Sequence, residues 1–195
     1  MRPNIQNNIG ILGGTFDPPH KGHLYISKLS IKKLELKKLY WAITSQNPLK
    51  NTTPFNKEKE RKILCRQLIK DEKKMKLLNT KNIKNSNFTI NILRAIKKKM
   101  KKKSNLFFII GADNLVKFHK WKEYEKIFSL CTVIVMNRIG YKKTALSSMV
   151  AKKFSKTKIC LSTLLKRDPK KKEWVYINNK GINVSSSKLR INLYK

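Results

Sequence analysis

Acidic residues are scarce in this chain of 195 residues: 11 Asp and Glu stand against 46 Lys and Arg, and the formal net charge is +35. A lysine-rich surface attracts phosphate backbones, so nucleic-acid binding is one interpretation. Lysine, asparagine and isoleucine are abundant in most segments, however, as expected of a coding sequence biased toward A and T, and tight lysine runs occur only at 97–103 and 170–172. We favour this compositional bias, and expect the positive surface mainly to attract anionic nucleotides.

Cysteine is also scarce, and long apolar segments are missing. The three cysteines, Cys65, Cys131 and Cys160, are far apart and form no Cys-x-x-Cys pair, which predicts free and largely buried thiols in a reducing cytoplasm. No run of about 18 apolar residues indicates a membrane span, and residues 1–8 lack the apolar stretch of a secretory signal. We therefore expect a cytoplasmic protein without a membrane partner, and a homo-oligomer stays an open possibility.

Short apolar runs alternate with segments of helical periodicity, which is typical of an α/β domain with a mostly parallel sheet. The length fits one Rossmann-like domain over 1–195, with helices on both faces of the sheet. Strands are predicted at 8–12, 39–44, 74–78, 106–110 and 131–136, and helices at 22–36, 56–70, 89–102, 122–128, 144–154 and 186–193. Pieces at 158–162 and 174–177 predict one further strand. The runs at 106–110 and 131–136 are continuously apolar, as in central strands.

The most informative segment is Gly13-Gly14-Thr15-Phe16-Asp17-Pro18-Pro19-His20-Lys21-Gly22-His23-Leu24, which joins an apolar run to a helical pattern. Glycines allow a ligand to approach the backbone closely, and the N–H groups of a helix's first turn attract anions. Two histidines at this spacing can contact the same phosphate chain. Zinc is another candidate ligand for His20 and His23, but zinc needs three or four ligands and His119 is the only other histidine. The segment therefore predicts a nucleotide site, with no metal bound by the protein.

This segment resembles the signature of the nucleotidyltransferases that carry a His-x-Gly-His motif, here His20-Lys21-Gly22-His23. Over nearly all of its length the chain is similar to the bacterial nicotinate-nucleotide adenylyltransferases. Four further blocks carry the resemblance: 47–50, 87–93, 109–115 with the following Phe118 and Trp121, and 184–190. Taken alone, the serines of the last block predict an ordinary helix cap, and Trp121 predicts a packing residue.

The resemblance implies roles for particular residues. The implied catalytic residues are His20, His23 and Arg190. The implied ATP-binding residues are Gly13, Gly14, Thr15, Phe16, His20, His23, Gly111, Asp113, Ser186, Ser187 and Arg190. The implied mononucleotide-binding residues are Asn47, Lys50, Thr89, Trp121 and Arg138, with Trp121 stacked on the nicotinate ring. Two helix starts, one after His20 and one at Ser186, would then hold the ATP phosphates from two sides.

The implied activity is adenylyl transfer from ATP to nicotinate mononucleotide, giving nicotinate adenine dinucleotide and pyrophosphate in NAD biosynthesis, with Mg²⁺ on the triphosphate. Phe88 stands where the family has tyrosine, and Ile92 stands at its second threonine. The preference for nicotinate over nicotinamide mononucleotide is therefore open. Two alternatives remain: an adenylyltransferase for another acceptor such as phosphopantetheine, against which His20 counts, and a basic nucleic-acid-binding protein on the same fold. We do not favour a nucleic-acid partner.

Overall fold

The computed structural model describes residues 7–46, 53–101 and 104–181, together with Ser186 and Leu189. Within them lies one seven-stranded sheet in which all neighbouring strands are parallel. The strands are β1 (Asn8–Gly14), β2 (Lys38–Ile43), β3 (Met75–Leu77), β4 (Asn105–Gly111), β5 (Thr132–Met136), β6 (Lys158–Ile159) and β7 (Trp174–Ile177). Their order across the sheet is β3-β2-β1-β4-β5-β7-β6, so the direction of winding reverses between β1 and β4.

Helices cover both faces of this sheet. They are α1 (Lys21–Lys33), α2 (Glu58–Leu68), α3 (Thr89–Lys99), α4 (Ala112–Lys117), α5 (Tyr124–Leu130), α6 (Lys142–Leu146), α7 (Met149–Lys153) and α8 (Leu161–Lys166). Successive strand residues point to opposite faces, and the core is accordingly divided into two apolar clusters. One cluster includes Phe108 and residues of α3 to α7, and the other includes Phe107 and residues of α1, α2 and α8. The predicted α/β architecture is confirmed.

The two continuously apolar runs occupy the middle of the sheet, as predicted. In β4 the residues from 106 to 110 are all buried, and β5 is buried along its whole length. Within the sheet, β4 is flanked by β1 and β5. Its side chains alternate between the two apolar clusters, so they pack against helices on both faces of the sheet. A strand in this position tolerates few polar residues, which is why its sequence shows no alternation.

Several predicted boundaries were wrong where the elements are short. α4 was missed, because a helix of six residues directly after a strand shows little periodicity. The helix predicted at 122–128 begins at Tyr124. The helix predicted at 144–154 is divided into α6 and α7. The Ser148 hydroxyl caps α7 by accepting the N–H of Ala151 at 3.3 Å. The segment 158–162 is a strand only at 158–159, so two further strands form rather than one.

Two predictions about the remaining segments have mixed outcomes. Cys65 and Cys131 are buried free thiols as expected, but Cys160 is exposed. Of the helix predicted at 186–193, Ser186 and Leu189 are helical and the other residues lie outside the described part. None of the helices in the described ranges combines the length and the apolar character that a bilayer crossing requires.

Candidate active site

The segment 13–24 and the block 109–115 meet at the carboxyl edge of the sheet, where the strand order reverses. β1 ends at Gly14, and the neighbouring β4 ends at Gly111. The turn after β1 leads to His20 and α1, whereas α4 begins directly after Gly111. In open parallel sheets, ligands bind in the crevice outside the strand ends at such a reversal. The topology therefore places these predicted residues at the position where a nucleotide is expected.

The turn after β1, residues 13–20, is called the phosphate turn below. A Cβ atom at Gly13 or Gly14 would lie 3.4 Å from the ring of Phe108 or Phe16, an ordinary contact distance, so internal packing does not require glycine there. Phe16 has a φ of 50°, in the left-handed region that is uncommon for a bulky residue. Its ring is 1% exposed and stacks on Trp41 with 4.7 Å between centroids. Phe16 can therefore offer a ligand only its backbone.

His20 and His23 cap the start of α1 reciprocally. The Nδ1 atom of His20 accepts the backbone N–H of Gly22 at 3.1 Å, and the Nδ1 atom of His23 accepts the backbone N–H of His20 at 3.2 Å. Their ring centroids are 3.8 Å apart. Because each Nδ1 atom accepts a hydrogen bond, each neutral imidazole carries its proton on Nε2. The donor that each ring offers a ligand is therefore its Nε2–H group.

The surroundings favour the neutral form of both rings. Burial, followed by the nearby charge of Arg138, lowers the pKa of His20 to about 4. Burial, followed by the charges of His20 and Arg138, holds the pKa of His23 well below its usual range. A proton on Nδ1 would also remove a hydrogen bond that caps α1. At neutral pH the pair therefore supplies uncharged donors, and Arg138 supplies positive charge close to them.

The Asp17 carboxylate fixes the phosphate turn to the segment before α2. Its Oδ2 atom accepts the backbone N–H of Phe55 at 2.7 Å. Its Oδ1 atom accepts the backbone N–H and the side-chain amide of Asn56 at 3.1 and 2.8 Å. Asp17 is 3% exposed, so water competes little for these bonds. The motif predicted a turn here without indicating this contact.

Arg61 of α2 is a positioning residue that the sequence analysis did not identify. Its Nη1 atom donates to the carbonyl oxygens of Thr15 at 2.6 Å and Thr44 at 2.8 Å. Its Nη2 atom donates to the carbonyl of Ser45 at 2.9 Å, and its Nε atom donates to that of Asn56 at 3.1 Å. The guanidinium thus joins the phosphate turn, the end of β2 and the start of α2.

The burial of Arg61 was visible in the sequence, although its partners were not. Arg61 is 2% exposed, Cys65 follows it on the same buried face of α2, and the buried Ile69 comes directly after the helix at the same spacing. A charged residue in line with an apolar stripe is the signal that could have identified it. Burial lowers the pKa of the guanidinium and the Asp17 carboxylate opposes this shift, while an arginine remains charged at any physiological pH.

Ser186, a residue of the C-terminal block, contacts the phosphate turn. Its hydroxyl donates to the backbone carbonyl of Pro18 at 2.9 Å, joining residues 168 positions apart in the chain. Pro18 lies two residues before His20, so the two predicted helix starts are close together. The predicted site residues that lie outside the described part of the chain are Asn47, Lys50, Ser187 and Arg190.

Asp113 and Arg138, which the resemblance connects with different substrates, are paired with each other. The Nη1 atom of Arg138 donates to Oδ2 of Asp113 at 2.6 Å. The Oδ1 atom of Asp113 is buried and has no hydrogen-bond partner among the described residues. A Cβ atom at Gly111 would come within 2.4 Å of this Oδ1 atom, so a larger residue there would displace the Asp113 carboxylate. Asp113 thereby holds the Arg138 guanidinium within electrostatic reach of the histidines.

Trp121 is connected to the phosphate turn through Phe108. The indole stacks on Phe118 with 4.7 Å between centroids and an interplanar angle of 25°, and it meets Phe108 edge-on at 6.1 Å. Phe108 is also the ring next to Gly13. One face of Trp121 is therefore packed, and the side chain remains partly exposed. Thr89, the first residue of α3, is partly exposed as well.

The two departures from the family pattern have different surroundings. Ile92 is 2% exposed and belongs to the core, so its side chain is not available to a substrate. Phe88 is partly exposed immediately before α3, and the ammonium group of Lys122 lies 4.6 Å from its ring centroid. Of these two side chains, only that of Phe88 is accessible to a ligand.

A family model described as cytidylyltransferase-like matches residues 11–192. The chain belongs to the cytidylyltransferase-like family. A relative from Pelagibacter ubique (strain HTCC1062), named probable nicotinate-nucleotide adenylyltransferase, is 40% identical over 95% of this chain and 93% of its own length. A relative of the same name from Agrobacterium fabrum (strain C58 / ATCC 33970) is 32% identical over 94% of this chain and 98% of its own. The resemblance seen in the sequence is thus confirmed.

A solved structure shares the fold of this cytidylyltransferase-like chain. It is the Plasmodium falciparum nicotinic acid mononucleotide adenylyltransferase complexed with NaAD, with a TM-score of 0.64 and 22% identity over 95% of this chain and 83% of that one.

In the described ranges of the present chain, no three His, Cys, Asp or Glu side chains converge to hold a metal ion.

The neutral histidine pair predicts how the protein responds to acid. Both rings should keep the Nε2–H tautomer down to about pH 5, and His20 should be protonated only near pH 4. Histidine in the unfolded chain titrates near pH 6.5, so the unfolded state gains protons first and the folded state loses stability as pH falls from about 6.5 towards 4. Nitrogen NMR of the imidazoles reports both tautomer and titration. Midpoints near 6.5 for both rings would contradict this description.

The four carbonyl contacts of Arg61 predict a large effect of its removal. Arg61→Met should lower the free energy of unfolding by about 2–4 kcal/mol, because buried carbonyls lose their donors. Arg61→Lys should recover part of this loss in stability. It should still weaken ATP binding roughly tenfold, since an ammonium cannot reproduce the planar, forked set of donors by which the guanidinium holds the phosphate turn. Urea denaturation and ATP titration measure the two effects. Arg66→Met, at an exposed position of the same helix, is the control; equal effects at both positions would refute the positioning role.

Proposed function

We propose that this protein transfers the adenylyl group of ATP to nicotinate mononucleotide, releasing pyrophosphate and forming nicotinate adenine dinucleotide for NAD biosynthesis. The observation that carries the proposal is the contact of Ser186 with Pro18, two residues before His20, at the β1–β4 reversal. The names of relatives at 40% and 32% identity over most of the chain support it.

The proposed reaction needs no general base. A 5′-phosphate oxygen of the mononucleotide, already an anion, attacks the α-phosphorus of ATP in line with the departing pyrophosphate. Positioning of the two phosphates and stabilisation of the charge that develops on them then account for catalysis. His20 and His23 donate their Nε2–H groups to phosphate oxygens without having to be protonated first. Gly13 and Gly14 leave space for the phosphate chain, since packing does not require them.

Positive charge at the phosphates is proposed to come from two arginines and from magnesium. Arg138 is held near the histidines by Asp113, and Arg190 belongs to the C-terminal block. Mg²⁺ enters as part of the MgATP substrate; this ion often keeps several waters and needs few protein ligands. Gly111 and Asp113 are proposed to contact the adenosine of ATP.

The mononucleotide is proposed to bind on the Trp121 side of the phosphate turn. Trp121 has one face stacked on Phe118 and is partly exposed, which fits stacking of its second face on the nicotinate ring. Thr89 lies at the start of α3, and Asn47 and Lys50 follow β2 in the sequence. A cytoplasmic location and activity without a nucleic-acid partner remain predictions from the sequence.

Pyrophosphate release with ATP and each mononucleotide, offered separately, tests the proposed reaction. Release with nicotinate mononucleotide, together with formation of the dinucleotide, is the expected result. Release with neither mononucleotide would overturn the proposal.

Replacing His23 with alanine should reduce turnover roughly a hundredfold or more, the usual cost of losing one preorganised donor. The same pyrophosphate assay measures this rate, and thermal unfolding verifies that the variant is folded. Lys32→Ala, at an exposed position of α1, is the control and should retain the wild-type rate. A near-wild-type rate for the His23 variant would exclude a role for this ring in the reaction.

A further inference from the structure

We infer that the ammonium group of Lys122 selects the acid form of the mononucleotide, nicotinate rather than nicotinamide. This inference rests on the proposed function and names the side chain that sets its substrate preference. Neither of the two residues that depart from the family pattern can do so directly. Ile92 is buried in the core, and the side chain of Phe88 has no group that donates a hydrogen bond to a carboxylate.

The position of Lys122 links the two elements that are proposed to hold the nicotinate ring. Lys122 directly follows Trp121, and its Nζ atom lies 4.6 Å from the centroid of the Phe88 ring. Phe88 in turn immediately precedes Thr89 and α3. An ammonium group within about 6 Å of an aromatic face is attracted by the electrons of the ring. The ring therefore holds the ammonium between the Trp121 segment and the start of α3.

A second contact fixes the same segment on α3. The Nη1 and Nη2 atoms of Arg94 donate to the carboxylate of Glu123, at 3.0 and 2.7 Å. Glu123 has a φ of 51°, so the backbone turns sharply there before α5 begins. Hydrogen bonds from Arg94 and Lys126 lower the pKa of Glu123 to about 2, and the pair persists through the working pH range. Phe88 therefore contacts the Lys122 ammonium, and the Arg94–Glu123 pair ties the adjacent residue to α3.

The charge of Lys122 is available to a ligand. Glu123 is already paired with Arg94 and Lys126, and none of the ion pairs within the described ranges includes Lys122. The Lys122 side chain is also exposed. The nicotinate carboxylate carries a negative charge that the nicotinamide group lacks, so only the acid gains a charge–charge attraction from this ammonium. Lys122 therefore favours the acid over the amide.

The test compares kcat/KM for the two mononucleotides at saturating ATP. In Lys122→Gln the ratio of the acid to the amide value should fall roughly tenfold, mainly through a higher KM for the acid, because the charge is lost while the length of the side chain is nearly kept. Lys122→Arg should preserve most of the ratio. Phe88→Leu should lower the ratio as well, since the ring that holds the ammonium is removed. Added salt should lower the wild-type ratio.

Lys120→Gln is the matched control, since Lys120 is an exposed lysine on the other side of Trp121. Its acid-to-amide ratio should equal that of the wild type. An unchanged ratio in Lys122→Gln, an equal fall in Lys120→Gln, or a wild-type enzyme that prefers the amide would overturn the inference. These outcomes differ from failure of the proposed function, in which the wild type releases pyrophosphate with neither mononucleotide.

Discussion

The phosphate turn depends on two buried charges, the Asp17 carboxylate and the Arg61 guanidinium. A turn that binds a nucleotide must direct polar groups toward the ligand, so its shape has to be supported from behind. Arg61 provides this support by donating to Thr15 and to the end of β2, and Asp17 provides it by accepting N–H groups just before α2. If its partner were lost, each of these groups would be buried without a hydrogen bond, which would lower the free energy of unfolding. The arrangement is therefore stiff before substrate arrives, as electrostatic preorganisation requires.

The rest of the site follows from that fixed turn. With the backbone at 17–20 held in place, the two histidines cap α1 reciprocally and carry their protons on Nε2. The carbonyl of Pro18 accepts the hydroxyl of Ser186, which places that residue beside the turn. Phe108 lies beneath Gly13 and against Trp121, so the aromatic side of the site is set relative to the phosphate side. Each contact uses a different element of the fold, and all of them meet at the β1–β4 reversal.

The fold and the location of the site could be predicted because both depend on local patterns. Alternating apolar runs and helical periods indicated the parallel sheet, and the segment 13–24 indicated the binding edge. The contacts of Arg61 and the pair of Asp113 with Arg138 could not be predicted, since they depend on which distant loops meet. The position of the Lys122 ammonium was hidden for the same reason, because it follows from the packing of 121–123 on α3. Short helices such as α4 and α8 were missed because they contain too few residues for a period.

The central claim is that neutral Nε2–H groups of His20 and His23 bind the ATP phosphates at the end of β1. A crystal structure of the protein with a non-hydrolysable ATP analogue tests this claim most directly. The account predicts phosphate oxygens at hydrogen-bond distance, about 3 Å, from both Nε2 atoms, with both Nδ1 atoms still accepting backbone N–H groups. Phosphates bound away from the two histidines, or rings that have turned their Nδ1 atoms toward the ligand, would contradict it.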